Sequence, residues 1–487
     1  MIGAEWVKFR TVRGWILAAI IAAVAIAGFG IAGGDQGSCN QSACTQVAGP
    51  GGEAVSDSFY FVHRAMNGNG SITARVTSLV STVPRPRREG QPAVVPWAKG
   101  GIILKANLTQ GSAYAAIMIT GSHGVRMQDD FTGDIAGPAG PASWLRLVRS
   151  GPVITGFASS DGVRWTRVGA VILPGLQSTA QGGLFATSPQ YSQASLGVAS
   201  ISGSPSQSTA VFDHVALTWS GTDTWTGTNV GGFSGPAAGP FTGYSRVNEG
   251  GFTIKGSGDI APATSGPSGI GVTIAQTLGG VFVALILLVV VGAAFISTEY
   301  RRGLIRVTLA ACPRPGRVLA AKASVIGLVA FTVSLAGVAV AVPVGQRVLV
   351  SHGVYVSPVT AVTEVRVIVG TATVIALCAV LAVAIGTVLR RGAAAVAAVI
   401  ALIVVPYVLT VPIPVLPLGV ADWLMRLSPA AAFAVEQTVV QYPQVSDVYA
   451  PAYGYCPLAP WAGLAVLCGW AATALALAYV TLHRRDA

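Results

Sequence analysis

The chemistry this sequence can do is concentrated in charge. After a long apolar run, Ser297-Thr298-Glu299-Tyr300-Arg301-Arg302-Gly303-Leu304-Ile305-Arg306 leads through Thr308-Leu309-Ala310-Ala311-Cys312 to Pro313-Arg314-Pro315-Gly316-Arg317 and Ala320-Ala321-Lys322. A short helix here would end at Cys312, stopped by Pro313 and the Pro315-Gly316 turn, and a new helix would begin near Arg317. Such a rigid elbow between two longer helices can transmit force, whereas charge that merely orients its neighbours is the alternative reading. No ATP site accompanies it. A P-loop needs Gly-rich backbone followed by Lys-Ser or Lys-Thr, and the five lysines, Lys8, Lys99, Lys105, Lys255 and Lys322, precede Phe, Gly, Ala, Gly and Ala. Asp129, Asp130 and Asp134 could ligate a cation or stand as solvated loop carboxylates. No carboxylate pair has a spacing suited to glycoside hydrolysis. Asp422, Glu436 and Glu364 are the acid-base groups that a membrane enzyme acting on lipid-linked glycans would use.

The elements that must carry these residues follow from composition. Of 487 residues, 52% are hydrophobic and only 10% charged, against roughly 25% charged in a soluble domain, and the mean hydropathy is +0.63. A soluble protein is excluded. Six uncharged windows each hold about 20 apolar residues, enough to cross a bilayer core, with spans expected near 14–33, 271–297, 323–345, 367–389, 393–416 and 461–482. An even number of spans puts both termini on one side. If that side is cytoplasmic, segments 1–13, 298–322, 390–392 and 483–487 hold 13 Lys and Arg against Glu5, Glu299 and Asp486, which satisfies the positive-inside rule. The pI near 9.6 therefore reports topology, and a nucleic-acid partner is not expected, since no basic patch is interleaved with stacking aromatics. The chain is expected in the plasma membrane, with residues 34–270 extracytoplasmic. A cleaved secretory signal is the rival reading of the first span, disfavoured by the length of its uncharged run.

Ahead of that span, Glu5-Trp6-Val7-Lys8-Phe9-Arg10-Thr11-Val12-Arg13 mixes aromatic and basic residues, the pattern of a helix at the inner membrane surface. Just beyond the span, Cys39 and Cys44 lie in a compartment where a disulfide persists, and they are expected to be bridged. None of the six cysteines has metal-site spacing. Within the expected spans no Asp, Glu, Lys or Arg occurs, so the midplane ion relay of a secondary transporter is missing. Gly386, Pro343, Pro406, Pro412 and Pro414 are candidate kinks.

From about residue 50 to 262 the apolar residues alternate. Segments 71–79, 101–106, 113–120 and 144–149 read as half-buried strands, and Asp161-Gly162 reads as a hairpin turn. Many short strands separated by Gly and Pro imply an all-β sandwich. Trp97, Trp144, Trp165, Trp219 and Trp225 could stack on sugars or fill its core.

Two resemblances add to this reading. Ile72-Thr73-Ala74-Arg75-Val76, Trp144-Leu145-Arg146-Leu147-Val148-Arg149, Ser160-Asp161-Gly162-Val163-Arg164-Trp165 and Ala210-Val211-Phe212-Asp213-His214-Val215 resemble concanavalin-like jelly-roll domains of the laminin-G type; the resemblance implies glycan or envelope-protein binding. The elbow, together with Leu427-Ser428-Pro429-Ala430 and the basic end His483-Arg484-Arg485, closely resembles type-2 permeases of ABC exporters, particularly actinobacterial ones. That resemblance covers 1–33 and 270–487. It implies a dimeric permease coupled to a separate ATPase that binds ATP and magnesium, with no catalysis or cofactor in this chain. It gives the coupling role to Glu299, Tyr300, Arg301, Arg302, Arg306, Arg314 and Arg317, and that of an interfacial helix to Glu5, Trp6, Lys8, Arg10 and Arg13.

The sequence thus predicts a polytopic α-helical membrane protein of six transmembrane helices with an inserted jelly-roll sandwich. Its parts are an interfacial helix and first span (1–33), an extracytoplasmic domain (34–270), and five further spans (271–487) with the elbow at 298–322. The competing function is a membrane-anchored lectin-like binding protein or sensor.

Overall fold

A computed structural model of the chain describes residues 1–35, 46–83, 94–194, 201–221, 224–231, 242–247, 250–264, 273–411, 416–445, 449–451 and 454–485. The helices are α1 (Ile2–Thr11), α2 (Arg13–Asp35), α3 (Val281–Arg301), α4 (Leu304–Ala311), α5 (Pro315–Ser351), α6 (Ala361–Leu389), α7 (Gly392–Thr410), α8 (Leu418–Leu427) and α9 (Pro460–Arg485). Six of them, α2, α3, α5, α6, α7 and α9, are long and apolar enough to cross a membrane. Each overlaps one uncharged window. The expected disulfide between Cys39 and Cys44 lies outside the described residues, as do Pro412 and Pro414; Cys312, Cys378, Cys456 and Cys468 are free thiols.

Helix α6 is the centre of the membrane part, with 67% of its apolar window buried, whereas α2, α7 and α9 bury only 22% each. Those three leave broad apolar faces for lipid or another chain. Close packing rests on small residues. A Cβ at Gly280 would lie 2.3 Å from the Ala25 carbonyl oxygen, and one at Gly337 would lie 2.9 Å from Ile26 Cβ. Phe282 of α3, Tyr407 of α7 and Phe433 stack together, with ring centroids 4.7 to 5.1 Å apart. Phe433 belongs to the 3-10 helix Pro429–Glu436, which bends 97° from α8. Pro343 lies inside α5 and Pro406 inside α7.

The largest departure from the sequence reading is α5. Helix α5 has 37 residues, about 55 Å at 1.5 Å per residue, and starts at Pro315 rather than Arg317. Proline is well suited to the first helical turn, where its missing N–H has no partner to lose. Lys322, expected as the last residue of the elbow, therefore lies two turns inside a helix.

Between α2 and α3 the chain builds two large antiparallel sheets. The first, of seven strands, runs in the order Thr166–Ile172, Val153–Ser159, Trp144–Ser150, Gly70–Thr82, Gln207–Leu217, Gly251–Gly256, Gly243–Val247. The second runs Ser220–Gly221, Phe59–Asn67, Thr179–Thr187, Lys99–Lys105, Tyr114–Thr120, Val125–Asp129, Gly133–Ala136, and Thr226–Val230 also pairs with Phe59–Asn67. Val62, Ile72, Ile102, Leu104, Leu147, Leu184 and Phe212 are among the residues that fill the space between the sheets. The Asp161-Gly162 turn is wider than a two-residue hairpin. Asp161 Oδ1 accepts hydrogen bonds from the backbone N–H groups of Val163 and Arg164, each at 2.8 Å, which stabilises a longer loop between the strands.

The strand Lys99–Lys105 is buried along its whole length. Ile102 and Leu104 point between the sheets, while Ile103 joins Phe59, Phe61, Tyr114 and Phe185 on the opposite face. Alternation puts Lys99 and Lys105 on that second face. Lys105 Nζ lies 2.7 Å from Asp57 Oδ2, and Lys99 Nζ lies 2.6 Å from Asp259 Oδ1. Val55–Asp57 pairs with Ile260–Pro262, so the two lysines hold the first and last strands of the insertion side by side. That proximity lets a large domain sit between consecutive helices. Tyr355 Oη donates to the Gly52 carbonyl at 2.9 Å, and Gln444 Nε2 donates to the Thr132 carbonyl at 3.2 Å, tying the sheets to the segments that follow α5 and the Pro429–Glu436 helix.

Removing one partner of a buried ion pair strands the other. Lys105→Met should destabilise the sheet domain by about 3 to 5 kcal/mol, and Lys105→Met combined with Asp57→Asn should recover part of the loss, as read from thermal unfolding of the full chain. A second test concerns Asp129 and Asp130. Burial, then the neighbouring Asp130 charge, raises the Asp129 pKa, so ionised Asp129 costs stability above the carboxylate range and nothing below it. Asp129→Asn should raise the melting temperature near pH 8, and the gain should vanish towards about pH 4.

Candidate functional site

At the elbow end of the bundle a group of four charges is drawn inward. Lys322 Nζ of α5 lies 2.6 Å from Glu299 Oε1 of α3 and 2.8 Å from Glu5 Oε2 of α1. Lys8 Nζ lies 3.0 Å from Glu5 Oε1 and 3.0 Å from Glu299 Oε1. Lys322 is fully buried, Glu5 is 1% exposed and Glu299 6%. Burial opposes the Lys8 charge, but hydrogen bonds and attraction from Glu5 and Glu299 outweigh it and hold its pKa above the ordinary lysine value. The Lys322 ammonium also sits 4.9 Å from the Phe295 ring centroid. Around it Phe9 stacks between Trp6 and Trp15, at 6.1 Å from each, and Trp15 meets Phe295 edge-on at 5.2 Å.

Sequence reasoning missed this arrangement. Glu5 and Lys322 are 317 positions apart, and Glu299 and Lys322 read as the two ends of a polar loop. The available signal was the absence of other lysines in the membrane part beyond Lys8: a lone lysine at the start of an apolar run, three residues before Val325, requires a partner once buried.

The elbow's arginines are exposed. Arg302 caps α3, and Gly303 turns the chain at a φ of 67°, a left-handed conformation that glycine adopts without steric cost. Helix α4 then buries Ile305 and Leu309. Arg301, Arg302, Arg306, Arg314 and Arg317 are all exposed, as are Arg10 and Arg13. Tyr300 is half-buried, and the Arg390 guanidinium, from the turn between α6 and α7, lies 5.4 Å from its ring centroid. Of the predicted site residues, Glu5 and Glu299 are buried and joined by the half-exposed Lys8, Tyr300 is half-buried, and the arginines and Trp6 are exposed.

The carboxylates of the enzyme reading have separate surroundings. Glu436 meets Thr371 Oγ1 of α6 at 3.3 Å, Asp422 lines a cleft beside α8, and Glu364 lies in the first turn of α6. Among the described residues no hydrogen bond or ion pair joins any two of them, and no group of three or more His, Cys, Asp or Glu could hold a metal. Asp134 pairs with Arg126 and accepts from Gln128 Nε2. Of the tryptophans, Trp97 and Trp219 are buried in the sheet domain, and Trp165 is half-buried under the Arg146 guanidinium, 4.0 Å from its ring centroid.

The family model described as ABC-2 family transporter protein matches residues 104–487, well over half of the chain. The chain belongs to the ABC-2 transporter family. This ABC-2 protein is accordingly a multi-pass membrane protein of the transport class, carrying a separate sheet-rich domain between its first two spans. No curated protein matches it. Among solved structures, a functionally unknown protein from Saccharomyces cerevisiae is 16% identical, over 34% of this chain and 76% of that one, with a TM-score of 0.22. SCP-B, a member of the eqolisin family of peptidases, is 9% identical over 42% and 98%, with a TM-score of 0.26. A GH43 protein from Bacillus licheniformis is 15% identical over 24% of each chain, with a TM-score of 0.17. Similarity at this level carries no argument about function.

Replacing Lys322 by Met leaves two buried carboxylates with Lys8 alone. This ABC-2 protein should then lose about 3 to 5 kcal/mol of stability. The triple variant Lys322→Met, Glu5→Gln, Glu299→Gln, which removes every fully buried charge of the group, should recover most of it, as measured by thermal unfolding in detergent.

Proposed function

We propose that this ABC-2 family protein is the permease subunit of an ATP-driven exporter, and that the elbow passes the motion of a separate ATPase into the membrane helices. The observation that carries the reading is the division of the elbow. Its arginines point outward, where a partner can engage them, while Glu299 on the same segment is locked through Lys322 to α5 and through Lys8 to α1. A push on the exposed arginines therefore acts on three helices at once. Membership of the ABC-2 family supports an ABC ATPase as the partner. ATP and magnesium belong to that partner, and this chain contributes no catalytic group.

In this reading both termini and the elbow are cytoplasmic, the insertion is extracytoplasmic, and the membrane is the plasma membrane, as the distribution of basic residues favours. Two copies form the translocation unit. The exposed apolar faces of α2, α7 and α9 offer surface for that pairing as well as for lipid. The sandwich is of the jelly-roll, concanavalin-like kind and engages a glycan or an envelope protein, and an oxidising compartment favours a bridge between Cys39 and Cys44.

The test is the double variant Arg301→Ala, Arg302→Ala, made in the complex purified with its ATPase. Both side chains are exposed, so folding should be preserved. Stimulation of ATP hydrolysis by the permease should fall by about tenfold, the effect of losing one or two charge-assisted contacts. Unchanged stimulation with an intact complex, or purification without any ATPase, would turn the reading towards a membrane-anchored binding protein.

A further inference from the structure

The end of the bundle nearest the sheet domain carries a second polar site that the exporter reading does not use. A cleft of about 530 Å³ lies between α8, the extended segment after Glu436 and the start of α9. Its wall brings Asp422 and Arg426, one helical turn apart on α8, opposite Gln437, Gln441 and Tyr449. The opposite wall is fixed by its own hydrogen bonds. Gln437 Oε1 accepts from the Cys456 backbone N–H at 3.0 Å, and Tyr449 Oη donates to the Tyr442 carbonyl at 2.8 Å. Arg426 is not satisfied in the same way: its Nε is buried and has no hydrogen-bond partner among the described residues. A buried guanidinium nitrogen without an acceptor is costly, and other atoms of Arg426 line a space large enough for a small ligand.

The surroundings restrict what that ligand is. Trp423 of α8 is 59% exposed and Trp461, at the start of α9, is 62% exposed. The Arg426 guanidinium lies 5.4 Å from the Trp423 ring centroid, Trp461 directly follows the lining residue Pro460, and exposed Val440 lines the cleft itself. Exposed tryptophans at the ends of apolar helices lie at headgroup depth, so the cleft opens where a phospholipid presents its polar end. The charges then select among headgroups. The arginine fork matches a phosphodiester, and once phosphate takes up the Arg426 charge that Asp422 faces one helical turn away, a donor of positive charge matches Asp422. A headgroup bearing phosphate alone leaves Asp422 repelled, and a quaternary ammonium cannot donate a hydrogen bond to it.

We propose that this cleft binds a phospholipid carrying a phosphodiester and a primary amine, of the phosphatidylethanolamine type, with phosphate at Arg426 and ammonium at Asp422. The acyl chains run past Trp423 and Trp461 into the membrane. The inference does not rest on the exporter reading, since it concerns a lipid held at the sheet-domain end whatever the elbow does.

The experiment delipidates the full chain in detergent and adds back phosphatidylethanolamine, phosphatidylcholine or phosphatidylglycerol, counting bound molecules by native mass spectrometry. The ethanolamine lipid should be retained about tenfold better than either other lipid, Asp422→Asn should remove that preference, and Arg426→Gln should lower retention of all three by about tenfold, each the size expected for one charge-assisted hydrogen bond. Val440→Trp keeps both charges and crowds the mouth of the cleft, so it should weaken retention without lowering the lipid-free melting temperature. This variant keeps the test decisive if Arg426→Gln fails to fold. Equal retention of the three lipids, or retention unchanged in folded Val440→Trp and Arg426→Gln, would overturn the proposal. Equally tight binding of soluble glycerophosphoethanolamine would also overturn it, because the site would then serve a water-soluble ligand rather than the membrane.

Discussion

Lys322 carries its charge where no water reaches it, and the helices around it are arranged to make that tolerable. An ammonium in an apolar bundle is stable only when anions and hydrogen-bond acceptors replace the water it has lost. Glu299 arrives from the end of α3 and Glu5 from α1, and both must be present together. The short helix α1 is thereby fastened to the bundle by charge as well as by the stacking of Phe9 with Trp15. Through these pairs α1, α3 and α5 are joined at the foot of the elbow.

The sheet domain solves a different problem by the same means. An insertion of more than two hundred residues between α2 and α3 must return its chain close to where it began. Lys99 and Lys105 sit six residues apart on one central strand, on the same face, and reach Asp259 and Asp57 at the last and first strands. Buried pairs are poor sources of net stability compared with apolar residues of the same volume, but they penalise a wrong register heavily. Their value here is in specifying which edges meet.

The exporter proposal and the lipid-binding proposal concern opposite ends of the same bundle. At one end exposed arginines lie over a buried anchor; at the other a partly buried arginine lines an open cleft. The contrast is one of solvation. Arg301 and Arg302 are hydrated and available to another protein's surface, while Arg426 has lost water at its Nε without gaining an acceptor.

Much of the architecture was written locally. The six uncharged windows determined six long helices because a helix satisfies its own backbone groups, which a membrane interior demands, and alternation at 71–79, 113–120 and 144–149 determined strands because side chains on a pleated strand point to opposite faces. The elbow's helix and its stop at Cys312 were legible for the same local reasons. Tertiary structure decided the rest. Nothing near Lys322 in sequence says that its carboxylates come from residue 5 and residue 299, nor does Lys105 announce Asp57. The cleft beside α8 exists only because the chain bends by 97° after Leu427 and α9 closes one side of it. Periodicity encodes which face of an element is apolar, whereas the partner of a buried charge is chosen by the packing of elements distant in the chain, and that information is not local.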